Sequence, residues 1–174
     1  MDAAQVHLAV DHFPVVGAVL FVPLMVLALW MPRSRGALAA ALLMSAVSAA
    51  ASLISLLSGD AALAAMEPLS GISGRALSEH QGLARVSMGM SVAVAVGGGA
   101  LFAAAVRQSR TPMLPGAMLL SLGAATAGAM ALTAHAGGAI HHPEVWSHAG
   151  AREVAAWAAE IRQVEIEGLE GEEE

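Results

Sequence analysis

Apolar residues in this chain do not alternate with polar ones; they run on. Four stretches of 18 or more largely apolar residues, at about 13–31, 37–57, 86–106 and 113–134, are separated by short polar segments. About 20 residues at ~1.5 Å each cross the ~30 Å hydrocarbon layer of a bilayer, so each stretch predicts a transmembrane helix. The order predicts an all-α, up-down four-helix membrane bundle over residues 1–142. Pro14 falls in the first turn of span one, where its missing N–H costs little, and Pro23 falls mid-span, where it predicts a kink. Small residues recur as Gly89, Ala93 and Gly97 in span three, and as Ala117, Ser121, Ala124 and Gly128 in span four. Such stripes predict the faces on which helices pack in lipid.

The pattern changes after residue 142. Val154, Trp157, Ala158, Ile161 and Val164 recur at helical spacing with Arg152, Glu153, Glu160 and Arg162 between them. Residues 143–174 thus predict a short interfacial amphipathic helix, anchored by Trp146 and Trp157, and an acidic disordered tail, "EGLEGEEE".

Composition agrees with a bilayer as the main partner: 57% hydrophobic, 13% charged, mean hydropathy +0.67. The net charge of −6 comes mostly from the terminal glutamates, and no basic patch supports nucleic-acid binding. Cysteine is absent, which excludes covalently attached haem, cysteine-bound iron–sulfur clusters, thiolate zinc and disulfides. There is no "HEXXH", no nucleophile elbow and no phosphate loop, so no soluble substrate is identified. No Asp, Glu or Arg stands at mid-membrane, where carriers place functional charge.

Lysine is also absent, and arginines carry the topological signal. Arg33 and Arg35 lie between spans one and two, and Arg107 and Arg110 between spans three and four. By the positive-inside rule both tight turns are cytoplasmic and both termini lie outside, which is the periplasm if the membrane is a bacterial inner membrane.

On that topology all seven histidines fall on the outer side. His7 and His12 precede span one and His80 precedes span three. His135 ends span four, with His141, His142 and His148 beyond it. Imidazole ligates haem iron, zinc and copper. His12, His80, His135 and His142 converge on the outer ends of three helices, which makes them candidate ligands of haem or of a zinc or copper ion. Asp11, Asp60 and Glu144 could complete a non-haem site, and Glu79 or Asp11 could orient a ring. Arg75 and Arg85 could meet haem propionates.

Three segments, "HLAVDHFPVVG", "SGDAALAAMEPLSGISGRALSEH" and "AHAGGAIHHPEV", resemble a family of small bacterial four-helix membrane proteins. Most of its members are known only as a domain of unknown function. Its pattern is an N-terminal His, "NH[FI]P" and Gly before span one, "HE" before span three, and "GG", a hydrophobic residue and His after span four. Here Asp11 replaces the usual Asn, and Gln81 follows the third His. Carried over, the family histidines are His7, His12, His80 and His142, whereas His135 matches only some relatives. The family is similar to four-helix b-type cytochromes, and this implies haem b and electron transfer, alone or with other membrane redox subunits. The remaining alternatives are a zinc or copper site and a cofactor-free accessory subunit of a membrane complex.

The topology has a direct check. Alkaline phosphatase fused after Glu174 should be active in a bacterial host, and a fluorescent protein that folds only in the cytoplasm should be dark there. The reverse pair of results overturns the orientation.

Overall fold

The computed structural model describes residues 2–66 and 74–141, and they form five helices: α1 (Ala3–Val10), α2 (Phe13–Trp30), α3 (Arg35–Met66), α4 (Gly74–Gln108) and α5 (Met113–His141). Four stretches of helix are long and apolar enough to cross a membrane: Ala3–Trp30, Arg35–Ala65, Ala76–Gln108 and Met113–Ile140. Helices α2 to α5 run up and down as a closed ring, α2 on α3, α3 on α4, α4 on α5 and α5 on α2. Helix α1 packs on the far end of α3. The expected amphipathic helix, the acidic tail, His142 and His148 lie outside the described residues, as does the side chain of Arg75.

The four expected spans all form, but only α2 keeps about its expected bounds and three run further. Helix α3 continues to Met66, α4 begins at Gly74 and α5 continues to His141. Mixed polar and alanine-rich turns such as "SGDAALAAM" and "GRALSEHQGLA" remain good helix formers although they are not apolar. Helix α1 was hidden for the same reason. It starts on a reciprocal cap, with the Gln5 N–H donating to Asp2 and the Asp2 N–H to the Gln5 side chain. Helix α2 continues through Pro23. At the opposite end, α4 stops where Ser109 takes a left-handed conformation (φ 54°), and Pro112 stands just before α5. The two tight turns touch: the buried Thr111 donates its N–H to the Pro32 carbonyl at 2.7 Å. We call this the turn end of the bundle, and the other the histidine end.

Polarity is inverted relative to a water-soluble bundle. The outward positions include Leu57, Val96 and Leu114, each at least 70% exposed, whereas the buried set includes Ser45, Ser48, Ser52, Ser58, Ser87, Ser91 and Thr126. Lipid offers no partner to a hydroxyl, so each must be satisfied within the protein. Most donate to a carbonyl three or four residues back, as Ser52 does to Ser48, Ser58 to Ile54, Ser87 to Leu83 and Thr126 to Leu122. Two pairs also join helices: Ser48 with Ser91, and Ser87 with Thr133, each at 2.9 Å. These hydroxyls occupy the part of the bundle nearer the histidines. Toward the turn end the core is apolar apart from Thr111 in the turn itself, and is made by Phe21, Met25, Ala28, Leu38, Val94, Leu101 and Leu119.

Glycines set the helix spacing, although not always those that the spacing singles out. A Cβ on Gly17 would lie 2.8 Å from the Met44 carbonyl and 2.9 Å from Ser48 Cβ, so α2 and α3 meet backbone to backbone there. At the same crossing Ser48 donates to the Pro14 carbonyl at 2.8 Å. Gly98 receives Leu42, Gly116 receives Leu29 and Gly123 receives the Phe21 ring. The expected stripe of Ala117, Ser121, Ala124 and Gly128 faces outward instead, and α5 packs through Gly116, Leu119, Gly123, Thr126 and Met130. Two small-residue stripes lie side by side on α5, and spacing alone does not choose between them.

Gly17 gives the sharpest stability test. Gly17→Ala forces the two backbones apart, and overpacking of this kind costs about 1–3 kcal/mol. The melting temperature of the purified protein in detergent should fall, whereas Gly36→Ala, with nothing within 4 Å, should not lower it.

Candidate functional site

The histidine end is built from α1, the ends of α3 and α5, and the start of α4. Two imidazoles are half-buried there, and both are used in the same way. His80 on α4 donates from Nδ1 to the carbonyl of Thr133 on α5 at 2.9 Å. His7 on α1 donates from Nδ1 to the carbonyl of Ser55 on α3 at 2.9 Å, and reaches the Ser58 hydroxyl at 3.2 Å. Ser58 already donates to Ile54, so it accepts from His7.

A helix carbonyl already bonded along its own helix is open to a second donor only where side chains leave it bare. Side chains lean toward the helix N-terminus, so residue i+4 covers the carbonyl of residue i. Glycine stands at that position in both cases, Gly137 after Thr133 and Gly59 after Ser55. The fit at Gly137 is tight, since a Cβ there would lie 3.1 Å from His80 Cε1 and 3.2 Å from its Nδ1. At Gly59 it would lie 3.8 Å from His7 Cε1, an ordinary contact.

The chemical result is a fixed proton position. A carbonyl oxygen only accepts, so Nδ1 carries the proton in each neutral ring and Nε2 keeps the lone pair. Among the described residues Nε2 of His7 and of His80 makes no hydrogen bond. This is the state in which histidine ligates a metal, with the other nitrogen oriented by a backbone carbonyl.

The other expected ligands are placed differently. His12 stands at the start of α2 with its side chain 86% exposed, and its Nδ1 lies against the Asp11 carboxylate. It is turned away from the bundle because the break between α1 and α2 sets it on the outer face. His135 is exposed on α5, two residues before Gly137. Arg85 and Asp60 are exposed, and Arg75 lies in the first turn of α4. Among the described residues no three His, Asp or Glu side chains come close enough to share one metal ion. The carbonyl partners Ser55 and Thr133 and the two glycines were not singled out from sequence, although "SLLSG" and "TAHAG" carry a common signal: a hydroxyl residue with glycine four later.

Below the histidines, Ser45, Ser48, Ser91 and Thr126 line a small, partly open pocket of about 10 Å³ with Ala18, Phe21, Val94 and Gly123. That is close to the least space that holds one water, and four hydroxyls are enough partners for it. It is far too small for a macrocycle.

No known protein family, curated protein or solved structure matches this chain.

The two glycines should answer differently to the same methyl group. Gly59→Ala has room and gains helix propensity of up to ~1 kcal/mol. Gly137→Ala crowds the His80 ring and should lose that gain or reverse it. Melting temperatures of the two variants in detergent check the order, and Gly137→Ala matching or exceeding Gly59→Ala would contradict it.

Proposed function

We propose that the protein is an integral membrane b-type haem protein serving electron transfer, with its site at the histidine end. One observation carries this reading: two half-buried imidazoles at that end hold Nδ1 on backbone carbonyls and keep Nε2 as a lone-pair donor. The donor set fits haem, whose iron takes one or two imidazoles, better than zinc or copper, which would draw three or more ligands together. His80 is the best-positioned ligand, since Gly137 seats its ring and Thr133 fixes its proton. The haem would supply reversible one-electron chemistry. The chain's own contribution is to hold the ligand ring and keep its proton on Nδ1 through the carbonyl bond. Arg85 and Arg75 are the cations available for propionates. The arginines of the two tight turns favour a periplasmic position for this site, at a bacterial inner membrane.

A cofactor-free accessory role is the second reading, favoured by the same geometry seen otherwise. Each imidazole already joins two helices, His7 tying α1 to α3 and His80 tying α4 to α5. A fastener needs no ligand.

A spectrum separates the two. The purified, dithionite-reduced protein should show sharp α and β bands of low-spin b-type haem, extractable by acid acetone because no cysteine attaches it. A colourless protein without metal leaves the accessory role, and stoichiometric zinc or copper overturns both.

A further inference from the structure

The two imidazole docks are alike in more than chemistry. Placing His7 on His80 shifts the chain by 73 residues, and placing Ser55 on Thr133 shifts it by 78. The docks alone fix these registers, yet burial follows them. Under the first shift five of the six buried residues of α2, Pro14, Ala18, Phe21, Met25 and Ala28, fall on the buried Ser87, Ser91, Val94, Gly98 and Leu101 of α4, and the sixth, Gly17, falls on the half-buried Met90. Under the second, every buried residue of α3 except Ala51 falls on a buried residue of α5, and the reverse holds without exception. Gly59 falls on Gly137, and Ser48 on Thr126.

Helix contacts obey the same exchange. Replacing α1 and α2 by α4, and α3 by α5, turns the contact of α2 with α3 into that of α4 with α5. It turns the contact of α3 with α4 into that of α5 with α2, and α1 on α3 into the start of α4 on α5. This is the exchange that a pseudo-twofold axis along the bundle would produce. It also accounts for an orphan. Ser55 Oγ is buried without a hydrogen-bond partner, while its counterpart Thr133 Oγ1 meets Ser87 at 2.9 Å. In the first half the position of Ser87 is taken by Pro14, which has no hydroxyl to offer.

We propose that the chain is a repeat of one two-span unit, and that His7 is the equivalent of His80, so that the haem is held by one imidazole from each half. The pairing of ligands rests on the haem reading above; the repeat does not. It selects His7, on a helix that the apolar pattern does not reveal, over His12, whose side chain points outward.

The full-length protein provides the test, with asparagine as the substituent. The Asn side-chain amide can still donate to the carbonyl from the position of Nδ1, but it has no counterpart of Nε2. His7→Asn and His80→Asn should each convert the low-spin spectrum to a high-spin one to a similar extent, the double variant should lose haem, and His12→Asn should keep the wild-type spectrum. A wild-type spectrum in His7→Asn beside a converted one in His80→Asn overturns the pairing and leaves the haem reading standing. Haem-free wild-type protein overturns the haem reading and the pairing with it. The repeat is then decided by ¹⁵N NMR of the ring nitrogens in haem-free protein. His7 and His80 sharing the Nδ1–H tautomer supports it, and different tautomers overturn it.

Discussion

The bundle depends on the place where α2 and α3 meet without side chains between them. Gly17 lets the backbones touch, and the Ser48 hydroxyl, held by that closeness, reaches across to the Pro14 carbonyl and on to Ser91 of α4. In lipid, apolar contact between helices has little advantage over contact with acyl chains, so close packing and interhelical hydrogen bonds carry association. One crossing therefore ties three of the four helices together. The glycines that accept Leu42, Leu29 and Phe21 complete the same scheme around the ring.

The imidazole docks extend that logic to the histidine end. A ring that donates to a helix carbonyl needs the carbonyl bare and the neighbouring backbone near, and glycine provides both. A typical hydrogen bond of this kind contributes about 1 kcal/mol net. Its larger effect is orientational, because it fixes which nitrogen faces away from the fastening helix. Stability and ligand chemistry are thus served by one contact, and the histidine variants described above are designed to separate them.

The four long helices were legible because hydrocarbon imposes a length and a composition that few other environments require. The histidine end was less so. His80 emerged from the sequence as a candidate, but its partner Thr133 is reached through a backbone carbonyl, and carbonyls leave no mark in a sequence. His12 was favoured over His7 because it stands at the very start of the apolar run, and only the break at Asp11 and His12 turns the ring of His7 in and that of His12 out. The stripe of Ala117 and Gly128 misled for a related reason: helical spacing identifies a face, not the neighbour that the face meets.

The apolar core at the turn end has an electrical meaning. In a membrane, voltage falls across the hydrocarbon layer, and the apolar core of Phe21, Met25, Leu38, Leu101 and Leu119 stands within the bundle on the far side of the hydroxyls from the histidines. Moving a unit charge through the whole drop changes its energy by about 2.3 kcal/mol per 100 mV. A charge that arrives and leaves at the histidine end crosses little of that drop. Chemistry there would run nearly independently of membrane potential, with the dry end of the bundle acting as the insulator.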